Sequence, residues 1–413
     1  MPDHAPILIV GAGPAGIAAA CAAVESGVPV TIVDDNSHAG GQIWRGAMPA
    51  SWQARLSRAA PRVLANARAI GFTSSKTLLV EQENKPVELS FDRLILAAGA
   101  RERLLPFPGW TLPGVAGVGG LQALVKSGLP IAGKRVAVAG SGPLLAAAAA
   151  SLVKAGARVL FIAEQAKWSR LLTFGASAAR SGAKVRQAFD IARAIGHIPY
   201  RTSSWPISAA RAGETLSVTL SFNGAQRTFA CDYFACAFGL VPNTELAQLA
   251  GCALREGFVE TDDYQRTSVA SLYCAGEPTG IGGVDGALVE GLVAGYHAAG
   301  QEGRARKHFT ARDRWRGFQR TIETAFELRK ELRGMPTPET ILCRCEDIPF
   351  GQTAGHLSWR EVKLQSRCGM GACQGRICGP ALEFLAGMPM QSVRLPLYPV
   401  PVATLAGKET EKR

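Results

Sequence analysis

Apolar residues along this chain come in short runs, and the residues after each run tell the elements apart. The run Ile7–Val10 leads directly into Gly11-Ala-Gly-Pro-Ala-Gly16. An alanine-rich helical stretch comes next, then Val28-Pro-Val-Thr-Ile-Val33 ending at Asp34 and Asp35. Strand, glycine turn, helix and strand in this order predict a βαβ unit on a parallel sheet. The same order returns about 130 residues later, as the strand after Lys134-Arg135, the loop Gly140-Ser-Gly-Pro-Leu-Leu145, a helix to Ala155 and the strand ending near Glu164. Strand-like segments lie between the two units (TLLVEQ, VELSF, RLILAAGA), and residues 216–222 alternate apolar and polar as a half-buried strand does. Residues 308–333 carry Trp315, Phe318, Ile322, Phe326 and Leu332 near helical spacing, with Gly334 and Pro336 as stop signals.

The fold class expected is α/β: two dinucleotide-binding, Rossmann-like domains followed by a small C-terminal helical domain. The expected boundaries are 1–115 with 236–300 for the first domain, discontinuous in sequence, and 116–235 for the second. A linker helix over 301–334 and a cysteine-rich domain over 335–413 complete the chain. A length of 413 residues accommodates this, at roughly 150 residues per domain. With 47% hydrophobic and 19% charged residues the chain is globular rather than disordered.

The longest apolar run, Pro143 to Val153, falls well short of the ~20 residues of a membrane span. No basic segment precedes an apolar stretch at the N-terminus, so a cytoplasmic protein is expected, with peripheral membrane association left open. A net charge of +12 suits an anionic surface or an acidic partner. No Lys/Arg run with interleaved aromatics is present, which argues against nucleic acid.

In the first unit the glycines have separable tasks. Gly11 permits the tight turn, Gly13 lets the backbone approach a pyrophosphate, and Gly16 lets the helix pack close to the strand. Asp34 stands where a carboxylate bonds a ribose hydroxyl, with Asp35 as the alternative if the strand ends one residue later. In the second unit, Gly140 and Gly142 are present but Leu145 replaces the third glycine. Glu164 there is the candidate ribose acid, and its charge disfavours a 2′-phosphate. Two readings of this unit stand: it holds NAD or another adenine nucleotide, or it is a degenerate domain that holds none.

Of the ten cysteines, Cys21, Cys231, Cys236, Cys252 and Cys274 are scattered among apolar neighbours, as inert buried thiols are. The other five, Cys343, Cys345, Cys368, Cys373 and Cys378, fall within 36 residues. Grouped thiolates select zinc or an iron–sulfur cluster. The spacings are CxC and two CxxxxC, with no CxxC knuckle of the zinc-ribbon kind, so an [2Fe-2S] cluster is the leading reading and structural zinc the alternative.

Three further segments carry a family resemblance: GGQIW at Gly40–Trp44, LILAAGARER at Leu94–Arg103, and SLYCAGEPTGIGGVDGALVEGLVAG at Ser271–Gly295. With the first glycine loop they make residues 1–300 resemble the two-dinucleotide-domain flavoproteins that include thioredoxin reductase and glutathione reductase. The resemblance implies FAD in the first domain. Gly11, Gly13, Pro14, Ala15 and Gly16 would lie at its pyrophosphate, with Gly41, Gln42, Ala98 and Gly99 further along it. Gly276, Glu277, Gly283 and Ala287 would follow at the later motif. There Glu277 replaces the family's aspartate near the flavin ribityl chain, an acceptor with a longer reach. The paired redox cysteines of the family's disulfide reductases are missing, which excludes thiol–disulfide reduction.

The segment LCRCED…GMGACQGRIC resembles the bacterioferritin-associated ferredoxin-like domain. That likeness implies Cys343, Cys345, Cys373 and Cys378 as cluster ligands and leaves Cys368 as a spare thiol. With GARERLLPFPGWTLPGV and FGLVPNTELAQLAGC added, nearly the whole chain resembles one narrower family. It comprises the FAD-binding α-subunits of bacterial opine oxidases, D-hydroxyproline dehydrogenases, dye-linked proline dehydrogenases and hydrogen cyanide synthase. Such a subunit works with an amino-acid-oxidase-like FAD β-subunit and often a small ferredoxin-like γ-subunit. The expected function is electron transfer within a hetero-oligomeric amino- or imino-acid dehydrogenase. The alternative is a self-sufficient NADH-dependent flavin and iron–sulfur reductase. No catalytic residue is assigned: His38, His197, His308 and His356 have no partners that make a proton-abstracting constellation.

Overall fold

The computed structural model describes residues 3–179, 182–390 and 392–406, and these divide into two compact units.

The first unit comprises Met1–Arg101, Pro242–Gln319 and Ser392–Arg413. Its central strand, Asp3–Val10, pairs in parallel with Val30–Val33 on one side and Lys85–Leu96 on the other, with Ile9 opposite Ile32 and Ile95. Both faces are covered, which is why the strand reads as a continuous apolar run rather than an alternating one. Leu272–Cys274 adds a further parallel strand against Leu94–Leu96, and the antiparallel strands Thr77–Gln82 and Ala67–Ser74 extend the sheet.

Helix Pro14–Val24 begins with proline in its first turn, where a missing N–H costs nothing. It packs on helix Val284–Ala298 through very small residues. A Cβ on Gly291 would lie 2.2 Å from the Ala15 carbonyl oxygen, and one on Gly295 would lie 2.2 Å from that of Ala19. The alanine-rich composition of the first helix is therefore a packing requirement. The C-terminal segment also belongs to this unit: the Leu397 amide donates to the Ile70 carbonyl at 2.9 Å and its side chain is buried.

The second unit comprises Glu102–Val241 and Arg320–Gln391. Its parallel sheet runs in the order Tyr200–Arg201, Arg158–Glu164, Arg135–Ser141, Tyr233–Phe238, Val115–Ala116. A three-stranded antiparallel sheet, Ser204–Ala212, Thr215–Phe222 and Ala225–Cys231, packs beside it.

The cysteine-rich segment, expected as a domain of its own from residue 335, is part of this second unit. Cys343, Trp359, Cys368, Cys378 and Leu382 share one hydrophobic core with Phe161, Leu216, Val218 and Phe234. A segment this short rarely buries enough apolar surface to stand alone, so it borrows a neighbour's core. Residues 392–406, expected in the same small domain, instead close the first unit. The helix expected over 308–333 also stops early. It runs Phe309–Ala325, and a 3-10 turn comes only at Lys330–Gly334. The residues between leave the helix for other partners.

Candidate cofactor sites

In the first unit the glycine loop has the geometry its spacing implied. Gly11 has φ +106° and donates to the Val33 carbonyl at 2.8 Å; a Cβ there would sit 2.3 Å from the Ala97 oxygen. A Cβ on Gly16 would sit 1.8 Å from the Gly11 oxygen, so helix and loop touch backbone to backbone. At Gly13 the corresponding space is open, with no atom within 4 Å. This leaves the helix N-terminus accessible beside Pro14 and the buried Ala15, where amide donors and the helix dipole favour an anion. The Gly40-Gly41 turn closes over this loop. Gly40 donates to the Ala12 carbonyl at 2.8 Å, and Gly41 approaches Gly13 so closely that a Cβ would lie 3.0 Å from its Cα.

Asp34 is buried and accepts from the Ala12 amide at 2.5 Å through one oxygen and from the Asn36 amide at 2.8 Å through the other. It therefore braces the glycine loop from the end of its strand. Asp35 is exposed, and its nearest cation is Arg68 at 4.0 Å. Gln42 is also exposed and accepts from Arg45 at 2.9 Å. Ala98 and Gly99 are held by Asn243, whose side-chain amide donates to the Ala98 carbonyl at 2.8 Å and whose backbone amide donates to Gly99 at 3.0 Å.

Gly276 (φ +81°) sits against Ala15 and Ala287, and its amide donates to Glu290 at 2.8 Å. Glu277 turns back on the chain: one carboxylate oxygen accepts from the Gly283 amide at 2.9 Å, and the other is buried without a partner. Burial pushes this carboxyl up to about 7, with the Gly283 amide opposing and the nearby Glu290 charge adding to the rise. Two positioning residues carry no signal that sequence reasoning could use. Asn243 stands in the FGLVPNTELAQLAGC segment with no partner visible in sequence, and Glu290 is the acid surrounded by small and apolar positions in its helix.

The second glycine loop has a different environment. Gly140 has φ +135° and no room for a side chain, since a Cβ would lie 1.7 Å from the Ala237 oxygen. Leu145 is fully buried and packs among Val118, Leu121, Ile131 and Val138, so the helix meets the sheet through a leucine and not by close approach. Glu164 is fully buried, and its carboxylate accepts from the Gly142 and Ala166 amides, each at 2.9 Å. Burial raises it to about 7 against those amides.

Across the carboxyl ends of these strands lies the chain that left the helix at Ala325. Ser141 Oγ donates to the Phe326 carbonyl at 3.3 Å, Gln165 Nε2 donates to that of Glu327 at 3.2 Å, and the Arg329 amide donates to Gln165 Oε1 at 3.2 Å. The Phe326 ring packs edge-on against Phe174 at 5.1 Å, and Glu327 pairs with Arg170 at 3.1 Å. In open α/β sheets this is the edge where a nucleotide lies. Here the protein's own Phe326–Arg329 segment lies over it.

The five grouped thiols sort into three and two. The sulfurs of Cys343, Cys368 and Cys378 lie within 4.8 Å of one another, all buried. Cys345 is exposed and Cys373 half-buried; these two share a hydrogen bond, and the Cys373 amide also donates to the Cys345 sulfur. Hydrogen bonds from Cys368 and Cys378, with the Gly369 amide at 3.5 Å, hold the Cys343 thiol well below the usual range, against the effect of burial. The segment folds around Trp359: Cβ atoms on Gly369 and Gly375 would meet its ring at 2.6 and 3.0 Å. These glycines thus make room for the indole, and Gly369 also turns an amide to sulfur. Cys368, expected to be a spare thiol, is in the buried trio.

Residues 5–303 match the model of the pyridine nucleotide-disulphide oxidoreductase family. The chain belongs to that family. It is an FAD-dependent oxidoreductase. It is 30% identical to hydrogen cyanide synthase subunit HcnB of Pseudomonas protegens, over 90% of this chain and 89% of that one. To an opine oxidase subunit of Rhizobium meliloti it is 28% identical, over 97% and 98%. Among solved structures it resembles L-proline dehydrogenase from P. horikoshii (TM-score 0.65, 19% identity, 98% of this chain and 80% of that one). It also resembles T. acidophilum thioredoxin reductase (TM-score 0.56, 22% identity, 72% and 98%). These two likenesses bear on the fold alone.

The first unit fits a flavin dinucleotide. The open face at Gly13 suits a pyrophosphate, and the unpaired Glu277 oxygen needs a hydroxyl donor. The family's disulfide chemistry has no counterpart in this unit, where the described cysteines, Cys21, Cys252 and Cys274, are buried and unpaired. No helix among the described residues is long and apolar enough to cross a membrane.

The Glu277 environment predicts a pH effect. Without a donor, its folded-state value of about 7 exceeds the ordinary 4.5, so the folded chain holds a proton that the unfolded chain has released. Stability should therefore fall as pH rises from about 4.5 through 7, by roughly 3 kcal/mol in full. Between pH 5.5 and 8, apo protein is expected to lose about 2 kcal/mol more in urea unfolding than a Glu277→Gln variant. Equal slopes for the two would show that this carboxyl is not the cause.

Proposed function

We propose that this chain is the FAD- and [2Fe-2S]-containing electron-transfer subunit of a hetero-oligomeric amino- or imino-acid dehydrogenase of the D-hydroxyproline, proline or opine type. It would pass electrons from a partner flavoprotein subunit to an acceptor. The observation that carries this reading is the second glycine loop. Its crevice is crossed by Phe326–Arg329, so the usual entry for a nicotinamide electron donor would be taken by the chain itself. In this reading electrons would enter elsewhere, and the thiol group would supply a second redox site.

The relatives support this in their names, each being a subunit of an enzyme that is a hydrogen cyanide synthase or an opine oxidase. The amino-acid-oxidase-like FAD β-subunit, and a small ferredoxin-like γ-subunit, are the proposed partners. An iron–sulfur centre passes electrons singly whereas a flavin accepts one or two, so the pair converts a two-electron oxidation into one-electron steps.

In this reading Gly11, Gly13 and Gly16 cradle the flavin pyrophosphate and Glu277 takes a ribityl hydroxyl. Asp34 braces the loop and takes the adenine ribose. Asn243 and Glu290 keep the two flanking glycine segments in place. The thiol set fits a cluster by donor chemistry: soft sulfurs in one place, three of them buried, with a backbone amide on one.

Anaerobic titration tests the reading. NADH should leave the flavin of the isolated chain oxidised, and the complex with its genomic neighbours should bleach only with an amino or imino acid. Bleaching of the isolated chain by NADH at catalytic rates would make it a reductase in its own right.

A further inference from the structure

The resemblance that names four cluster ligands leaves Cys368 without a task, yet it is packed among them. Its sulfur lies within 4.8 Å of those of both Cys343 and Cys378, with all three residues buried. The position is built. Helix Trp359–Ser366 ends on Arg367 in the left-handed region (φ +67°), which reverses the chain, and the Cys368 amide donates to Ser366 Oγ at 3.2 Å. The next residue, Gly369, is pinned beneath the Trp359 ring and donates its amide to the Cys343 sulfur. Cys368 is therefore fixed on the inner side of the loop. By contrast, Cys345 and Cys373 bond each other and stand at the more open side.

Two sulfurs on one tetrahedral metal, with bonds of about 2.3 Å, sit about 3.8 Å apart. Any two of the buried three reach that separation by a small side-chain rotation. We propose that Cys368 is an interchange ligand of the cluster, able to take the coordination position of Cys378. In the exchange the Cys368 thiol releases its proton and binds iron as thiolate, while the departing Cys378 thiolate takes up a proton; no electron moves. The site thus offers five thiols for four positions, and the substitute serves the buried side only. Cys373, outside the trio, has no substitute.

The inference rests on the iron–sulfur reading, and the experiment separates the two. The full-length chain is purified anaerobically as wild type, Cys378→Ala, Cys368→Ala and the double variant. Iron, acid-labile sulfide, visible circular dichroism and the spin-resonance spectrum of the reduced cluster are recorded. Wild type and Cys368→Ala should each hold about two irons with the same spectra. Cys378→Ala should keep about two irons with shifted spectra, and the double variant should fall at least tenfold.

An iron-poor Cys378→Ala in an iron-replete series would overturn the interchange, as would loss of the cluster from Cys368→Ala alone. Zinc, or no metal, in the wild type would overturn the cluster reading itself. Protease resistance of residues 320–391 reports whether the variant unit is folded. Should Cys378→Ala be cleaved there, Cys378→Ser, which keeps the side-chain volume, decides on the same readings.

Discussion

Replacing Gly16 by valine is expected to give a chain that purifies without FAD and with a destabilised first unit. The hydrogen at this position faces the Gly11 carbonyl oxygen so closely that a Cβ would lie 1.8 Å from it, and 3.4 Å from the Ile9 side chain. Both close atoms belong to the strand and turn that present Gly13, so relief means moving the turn or the helix. The helix has little freedom. Its other side meets Gly291 and Gly295 of helix Val284–Ala298, again with backbone in contact range. The turn is no freer, because Gly11 already packs so closely on Ala97 that a Cβ there would lie 2.3 Å from its carbonyl oxygen. Overpacking in a well-packed core costs about 1–3 kcal/mol, and a clash with backbone on both sides belongs at or above the upper end. The flavin absorbance per chain and the urea midpoint measure both effects. A yellow Gly16→Val protein with normal flavin content would mean that the loop can shift without losing its ligand.

The second unit offers a natural contrast, because Leu145 stands where Gly16 stands in the first. There the helix meets its sheet through a side chain rather than backbone to backbone. The leucine fills the gap with a fully buried side chain among Val118, Ile131 and Val138. In the same unit the strand ends are covered, since Phe326–Arg329 lies across them. Both departures point the same way, although only the leucine is visible in sequence.

Local patterns were legible in the sequence, and long-range ones were not. A glycine loop between strand and helix is a local pattern, so Gly11, Gly13, Gly16 and Asp34 could be placed from their neighbours alone. The grouping of five cysteines is also local. Features that depend on distant backbone could not be read. Trp315, Phe318, Ile322 and Phe326 keep helical spacing, and nothing in them shows that Ser141 and Gln165, about 160 to 185 residues earlier, offer Phe326 and Glu327 other partners. Asn243 and Glu290 act on glycine segments far along the chain or across a turn, and polar residues at such positions carry no motif. Likewise the spacing CxxxxC gives no hint that Cys368 faces inward, because that direction is set by a left-handed Arg367 and the Trp359 ring. The separate cluster domain was expected from composition, whereas its residence in the second unit comes from core size.

On the iron–sulfur reading proposed above, Cys373→Ser is expected to abolish the cluster while leaving FAD bound at the wild-type level. The argument rests on where the groups lie. The glycine-rich segments proposed to hold the flavin, with Asp34, Glu277 and Asn243, belong to the first unit, and all five grouped cysteines belong to the second. Loss of one thiolate ligand takes away a quarter of the protein's bonds to the cluster. The serine hydroxyl, a harder and less acidic donor, replaces thiolate poorly. No thiol of the buried trio stands in for Cys373, because its sulfur is paired with Cys345 on the open side. Cys373 is only half-buried and outside the shared hydrophobic core, so the substitution should cost the second unit little beyond the ligand. The expected spectrum is that of a simple flavoprotein, with iron reduced at least tenfold and the flavin's visible absorption band retained. In the proposed complex with a partner flavoprotein, amino-acid-dependent bleaching of the partner flavin should persist while reduction of a one-electron acceptor fails. Flavin loss in step with iron would show that the two sites depend on each other for folding, and retained iron would place Cys373 outside the ligand set.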